Sequence, residues 1–149
     1  MDFFLHEGPL VPARAVAALI VLEDNRYLLQ LRDQKRGIFF PGHWGLFGGA
    51  VEAGESAIDA VHRELHEELG LVVSEARSLT DFTFTFGRYG DITRHYFEIP
   101  YSSASVISLR LQEGAEMRAF HASDILNLPR LVPYDSFAIW LHASGHFRK

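Results

Sequence analysis

Residues 49–71 read GAVEAGESAIDAVHRELHEELGL, a glycine-bounded loop running into one short helix that carries three glutamates close together. Ser56 with Asp59 three positions later has the form of a capping box, and Gly70 stands where helices commonly end in a left-handed residue. The helix is therefore expected over about Ala57 to Leu69. At about 100° per residue, Glu68 lies about 40° to one side of Glu64 and Glu67 about 60° to the other, so the three carboxylates share one arc. The same wheel centres Ile58, Val61, Leu65 and Leu69 about 100° from that arc and puts Ala57 and Ala60 inside it, leaving room for a ligand. Carboxylates this close repel and raise the pKa of at least one of their number unless cations screen them. A set of oxygen ligands suits Mg²⁺ or Mn²⁺, whereas a plain solvated acidic face is the ordinary meaning of such a charge run.

The rest of the chain limits what this helix can serve. A length of 149 residues with 48% apolar and 22% charged composition fits one domain over residues 1–149. A net charge of −5, with Lys and Arg scattered, offers no basic stripe, so no nucleic-acid polymer is expected as partner. The absence of cysteine excludes disulfides, thiolate nucleophiles and zinc–thiolate sites. The start, MDFFLHEGPLVPAR, lacks the basic opening and long apolar core of a signal peptide, and the longest apolar run, Ala15 to Leu22, is too short for a bilayer. A cytoplasmic protein without membrane contact is the expectation.

Ala15–Leu22, a turn at Glu23-Asp24-Asn25, and Tyr27–Leu31 read as two strands. Arg32 to His43 reads as a binding loop displaying Phe39 and Phe40, after which Trp44–Phe47 resumes an extended path. Thr80–Phe86 and the run carrying Tyr96, Phe97 and Ile99 form a hairpin around Gly87–Asp91. Met117–Phe120 is a short strand, and Asp135–His142 a closing helix with Phe137, Trp140 and Leu141 facing inward.

The segment from Gly49 to Leu71 matches, without a gap, Gly-x5-Glu-x7-Arg-Glu-[aliphatic]-x-Glu-Glu-x-Gly-[aliphatic], and so resembles the box of the Nudix pyrophosphohydrolases. Seven fixed identities arise by chance in roughly one in 10⁸ windows. Trp44-Gly45-Leu46-Phe47-Gly48-Gly49 is similar to the lead-in segment of that family, with Phe47 where proline is frequent. The resemblance implies an α/β (α+β) fold, a Nudix-type α/β/α sandwich around a mixed sheet, and Mg²⁺, with Mn²⁺ as possible substitute, held by Glu64, Glu67, Glu68 and the Gly49 carbonyl. By the same match Arg63 orients the carboxylates and Glu55 supports the loop. Glu113 resembles a further metal-binding or base glutamate, with Glu116 and Glu98 in reserve. Either Glu64 or Glu113 is the general base.

The implied reaction is metal-dependent hydrolysis of a nucleoside diphosphate linked to another moiety, in a nucleotide sugar or a nucleoside triphosphate. Its products are a nucleoside monophosphate and the phosphorylated remainder. Phe39, Phe40 and Trp44 are candidates for stacking on base or sugar, and Arg32, Lys35 and Arg36 for meeting the outer phosphate. Asp135 is a candidate base reader and equally a candidate N-cap of the last helix. A homodimer is a further expectation of the resemblance. The alternatives are a catalytically silent nucleotide-sensing module and a zinc hydrolase using His62 and His66. The zinc motif needs its Glu directly after the first His, which this order lacks. Isomerase chemistry on an isoprenoid diphosphate, also known on this fold, is associated with a cysteine.

Overall fold

The computed structural model describes residues 13–35 and 38–147; Arg36 and residues 1–12 of the N-terminal segment considered for a signal peptide lie outside them. The first strand, β1 (Arg14–Leu22), explains the rest of the layout. Its uninterrupted apolar run leaves no face for water, as expected of a strand covered on both sides. Val16, Ala18 and Ile20 point to one layer, and Ala17 and Leu19 to the other. The first layer is α1 (Ala57–Leu69) and the second contains α3 (Pro133–Ala143). A seven-stranded mixed sheet lies between the layers in the order β3-β2-β1-β6-β5, with β4 pairing β1 and β7 pairing β2. Strands β1 and β6 (Asp91–Tyr101) run parallel, and the other pairs are antiparallel. The expected sandwich is therefore present.

One irregularity positions the site. Strand β2 (Arg26–Leu31) is in register with β1 only at Val21 and Tyr27, and the two then diverge. Residues Trp44 to Ala50 fill the gap: β3 (Trp44–Gly45) pairs with Gln30 and Leu31, and β4 (Phe47–Ala50) pairs with Ala15 to Ala18 of β1. At the changeover residue, Leu46, both backbone groups are satisfied by buried side chains. Its N–H donates to Asp135 Oδ2 at 3.0 Å and its carbonyl accepts from Gln30 Nε2 at 3.3 Å. Gly48 must follow, because a Cβ there would come within 1.9 Å of the Val16 carbonyl oxygen. Phe47, where proline was the familiar residue, is fully buried core opposite Ala18.

The helix α1 has the bounds read from the sequence, with Ser56 accepting from the Asp59 N–H at 3.2 Å and Gly70 at φ 66° closing it. Its buried stripe differs: Ile58 is exposed at the first turn, whereas Ala60 lies in the core with Val61, Leu65 and Leu69. Ala60 therefore supplies close packing, not ligand space. The hairpin is formed by β5 (Arg77–Thr85) and β6, and β7 (Glu116–His121) lies antiparallel to β2. A short α2 (Ala122–Ile125) precedes α3.

In α3 the expected inward residues are corrected. Phe137 and Trp140 are 45% and 50% exposed and stack on each other outside, while Tyr134, Asp135, Ala138 and Ile139 face the sheet. The helix is apolar nearly all round, so its period alone does not pick the buried face; small Ala138 lets the backbone approach the sheet and moves the seam one residue. Asp135 is not the N-cap, since Val132 occupies that position and Pro133 opens the first turn.

Candidate functional site

The loop from β4 into α1 is held by Arg63. Its guanidinium forms a fork with Glu55, Nε to Oε2 at 2.8 Å and Nη2 to Oε1 at 2.9 Å, and Nη2 also donates to the Ala50 carbonyl at 2.9 Å. The remaining arm, Nη1, reaches Glu64 at 3.0 Å and Glu67 at 3.2 Å. Arg63 and the Glu52 N–H hold the Glu55 carboxyl well below its ordinary pKa, at about 2, and Arg63 itself stays charged. One side chain thus ties strand end, loop and helix together. Gly49 permits this closeness: a Cβ on it would lie 2.6 Å from the Glu64 carboxylate.

Glu64, Glu67 and Glu68 line one cavity of about 430 Å³ together with Gly48, Gly49, Arg32, Lys35 and Glu113. Glu113 is delivered by a loop docked on the end of α1, where Gln112 N–H donates to the Glu68 carbonyl at 2.8 Å and Arg110 N–H to the Leu69 carbonyl at 3.0 Å. Glu68 is 3% exposed, and among the described residues its side chain accepts one hydrogen bond, from the Gly48 N–H at 3.1 Å. Burial, followed by the charges of Glu64 and Glu113, pushes its carboxyl up to about 9. Burial raises Glu64 as well, with Arg63 opposing.

Among the described residues no three acidic or histidine side chains are already gathered around one point as a metal cage, because Arg63 draws Glu64 and Glu67 aside. The donor set still fits a hard divalent cation. All donors are oxygens, and the buried Glu68 has like charges where compensation is needed.

A second cavity, of about 210 Å³, adjoins the first and shares Arg32, Ile38, Gly48, Gly49 and Ala50 with it. Its own walls are Ala15, Phe39, Leu46, Ile92, Arg94 and Tyr134. Arg32 sits at the junction and donates from Nε to the Phe39 carbonyl at 2.8 Å. Phe39 lines the smaller cavity, whereas Phe40 is buried against Val132 and Tyr134. Trp44 lines neither cavity: its ring packs on Phe120 at 5.0 Å and under the Arg118 guanidinium at 5.3 Å. Asp135 lies behind the wall, its oxygens bonded to Leu46 N–H, Arg94 Nη2 at 3.0 Å and Tyr96 O–H at 3.2 Å.

The reserve glutamates are elsewhere. Glu98 pairs with His142 and Arg77, and Glu116 with Arg118. His62 and His66 are exposed on α1, away from the carboxylates. Arg94, Ile92, Ile38 and Tyr134 were missed by the sequence reading. The signal was present for Arg94, a cation at an inward position of the alternating run Ile92, Arg94, Tyr96.

The NUDIX domain family model matches residues 11–144, nearly the whole chain. The chain belongs to the Nudix family. Its similarity to the nucleoside triphosphatase NudI of Escherichia coli O139:H28 is 40% identity over 74 residues, 48% of this chain and 50% of that protein. The chain spans about half the length of the curated relatives it matches. By fold this Nudix domain is similar to a MutT protein from Methanosarcina mazei Go1, with a TM-score of 0.77, 23% identity, and 97% and 99% of the two chains covered. It is also similar in fold to the NUDIX domain of Shewanella oneidensis NrtR, solved with ADP ribose, with a TM-score of 0.72, 20% identity, and 93% and 89% covered. The Arg63 network lies within residues 49–71, the segment that resembles the family's box. No helix of the described residues is long and apolar enough to cross a membrane.

Proposed function

We propose that this Nudix domain hydrolyses a phosphoanhydride bond of a nucleoside triphosphate, adding water to give a nucleoside monophosphate and pyrophosphate. The observation that carries the proposal is the junction of two unlike cavities at Gly48–Ala50, one acidic and one walled by Phe39, Ile92 and Tyr134. A polyphosphate and a base need such neighbouring environments. The similarity to NudI over half the chain supports a triphosphate over a nucleotide sugar.

In this reading Glu64, Glu67, Glu68 and the Gly49 carbonyl hold Mg²⁺ or Mn²⁺. Bound there, such a cation neutralises phosphate charge and lowers the pKa of water. Arg63 spends its charge on Glu55, Glu64 and Glu67, fixing the loop and two of the carboxylates ahead of substrate. Glu113, brought into the same cavity by the loop docked on the end of α1, is the general base that takes the proton from the attacking water, because Glu64 is already committed to Arg63. Arg32, at the junction, meets the phosphate chain; Lys35 lies on the acidic cavity's rim. Phe39 borders the base.

The test is a panel of nucleoside triphosphates, nucleotide sugars and dinucleotides incubated with Mg²⁺ or Mn²⁺, the products being identified by mass. Release of monophosphate and pyrophosphate from a triphosphate is expected, abolished by a chelator and by Glu67→Gln. No release from any member, or near-wild-type rates in the variant, would contradict the proposal.

A further inference from the structure

Arg94 is the charged side chain at the back of the smaller cavity, and its surroundings decide what it can do there. It stands on β6 opposite Ala15 and Phe82, with its guanidinium 4.5 Å from the centre of the Tyr134 ring. Nη2 donates to Asp135 Oδ1 at 3.0 Å and Nε to the Tyr96 hydroxyl at 3.3 Å. Nη1 has no hydrogen bond among the described residues. None of the buried side-chain nitrogens or oxygens lacks a partner, so Nη1 is not fully enclosed, and Arg94, with 11% of its side chain exposed, lines the smaller cavity.

Arginine only donates, and it keeps its charge. The other charged side chain on this cavity, Arg32, also only donates; the remaining side-chain walls are Ala15, Ile38, Phe39, Leu46, Ala50 and Ile92, with the ring of Tyr134, whose hydroxyl is the one side-chain acceptor among them. A flat ring entering between Phe39 and Tyr134 therefore gains most if it turns a carbonyl oxygen toward Arg94. An exocyclic amino group would point hydrogens at hydrogens and leave the guanidinium arm unpaired. Asp135 and Tyr96 hold Arg94 in one orientation, so the arm is set before a ligand arrives.

We infer that Arg94 reads the carbonyl edge of a base in this cavity, so that bases with a keto group on purine C6 or pyrimidine C4 are selected over their amino counterparts. The inference rests on the reading that the smaller cavity holds the base of a nucleotide, and it names Arg94, not Asp135, as the specificity residue. The same chemistry comes from two ring sizes, which the test separates.

The experiment is titration calorimetry of the full chain with nucleoside monophosphates in chelator, so that binding is read without turnover. Two pairs differ along the edge concerned, in the keto or amino group and in the neighbouring ring nitrogen, which carries hydrogen only in the keto member: inosine against adenosine monophosphate, and uridine against cytidine monophosphate. The keto member of one or both pairs is expected to bind about 10- to 100-fold more tightly, and the pair with the larger ratio identifies the ring size. Equal affinities within both pairs overturn the inference. Arg94→Lys keeps a positive charge beside Asp135 and should bring the ratio to within about twofold; an unchanged ratio overturns the assignment to Arg94. Should that variant not fold, the ¹⁵N-labelled guanidinium resonance of Arg94 in the native chain serves instead, moving with inosine but not adenosine monophosphate; no difference between the two overturns it. A retained ratio with no triphosphate turned over sinks the hydrolase reading alone, and turnover without a ratio sinks this inference alone.

Discussion

Two carboxylates almost without exposed surface, Glu68 at 3% and Asp135 at 2%, lie on opposite faces of the same sheet and are treated in opposite ways. Asp135 receives a backbone N–H, a guanidinium and a phenol, from Leu46, Arg94 and Tyr96. Among the described residues Glu68 receives only the Gly48 N–H; it is faced by Glu64 and Glu113, with the Arg32 charge opposing them more weakly. Arg63 is close by, yet its bonds go to Glu55, Glu64 and Glu67. Burying a charge without compensation is costly, and folding has met that cost at Asp135 and left it standing at Glu68. The lesson is that one buried carboxylate is fully paired within the chain, and the other is left for a partner from outside.

Breaking the complete cluster has the largest expected effect. Asp135→Ala should lower the unfolding free energy by about 3–5 kcal/mol in urea titrations, since Arg94 stays buried without its partner; a loss within experimental error would erase the contrast. Next, Glu68→Gln should reduce turnover of the accepted triphosphate in Mg²⁺ by on the order of 10²–10³-fold, measured as kcat/KM. The same Glu68→Gln should make the metal-free protein more stable by about 1 kcal/mol, because it removes the acid that burial and like charge oppose. A carboxylate-to-amide change would thus act with opposite signs on stability and on rate.

The contrast sharpens with pH. The Glu68 carboxyl is raised from 4.5 to about 9 in the folded chain, so the folded state holds a proton that the unfolded state releases. In chelator the melting temperature should therefore fall as pH rises through that window, and the fall should flatten in Glu68→Gln. Smallest of all, Trp44→Phe should leave kcat/KM within about twofold, since Trp44 packs on Phe120 away from both cavities.

Much of this was legible in the sequence where local rules dominate. Ser56, Gly70 and the apolar period fixed α1 to the residue, and the spacing of Arg63, Glu64, Glu67 and Glu68 brought them into one cavity with Glu113. What was not legible depended on pairings between distant segments. Trp44 lies on the extended path expected of it, but as a candidate for stacking on base or sugar it was misjudged, because its ring turns to Phe120 once β3 pairs with β2. Asp135 looked like a cap or a base reader, but the Leu46 changeover and Arg94 claim its oxygens. The face of α3 was misjudged because Phe137 and Trp140 are large and apolar yet lie outside, and size alone does not say which side meets the sheet. Ile38, Ile92 and Tyr134 become neighbours only when three separate segments close on one cavity.

The most direct test of the claim that the Glu68 cluster is finished by a cation is the melting temperature of the native chain and of Glu68→Gln, each with and without millimolar Mg²⁺ or Mn²⁺. The account predicts that either ion raises the melting temperature of the native chain and that the rise is largely lost in the variant. A native chain indifferent to both ions, or a variant that responds as the native chain does, would contradict it.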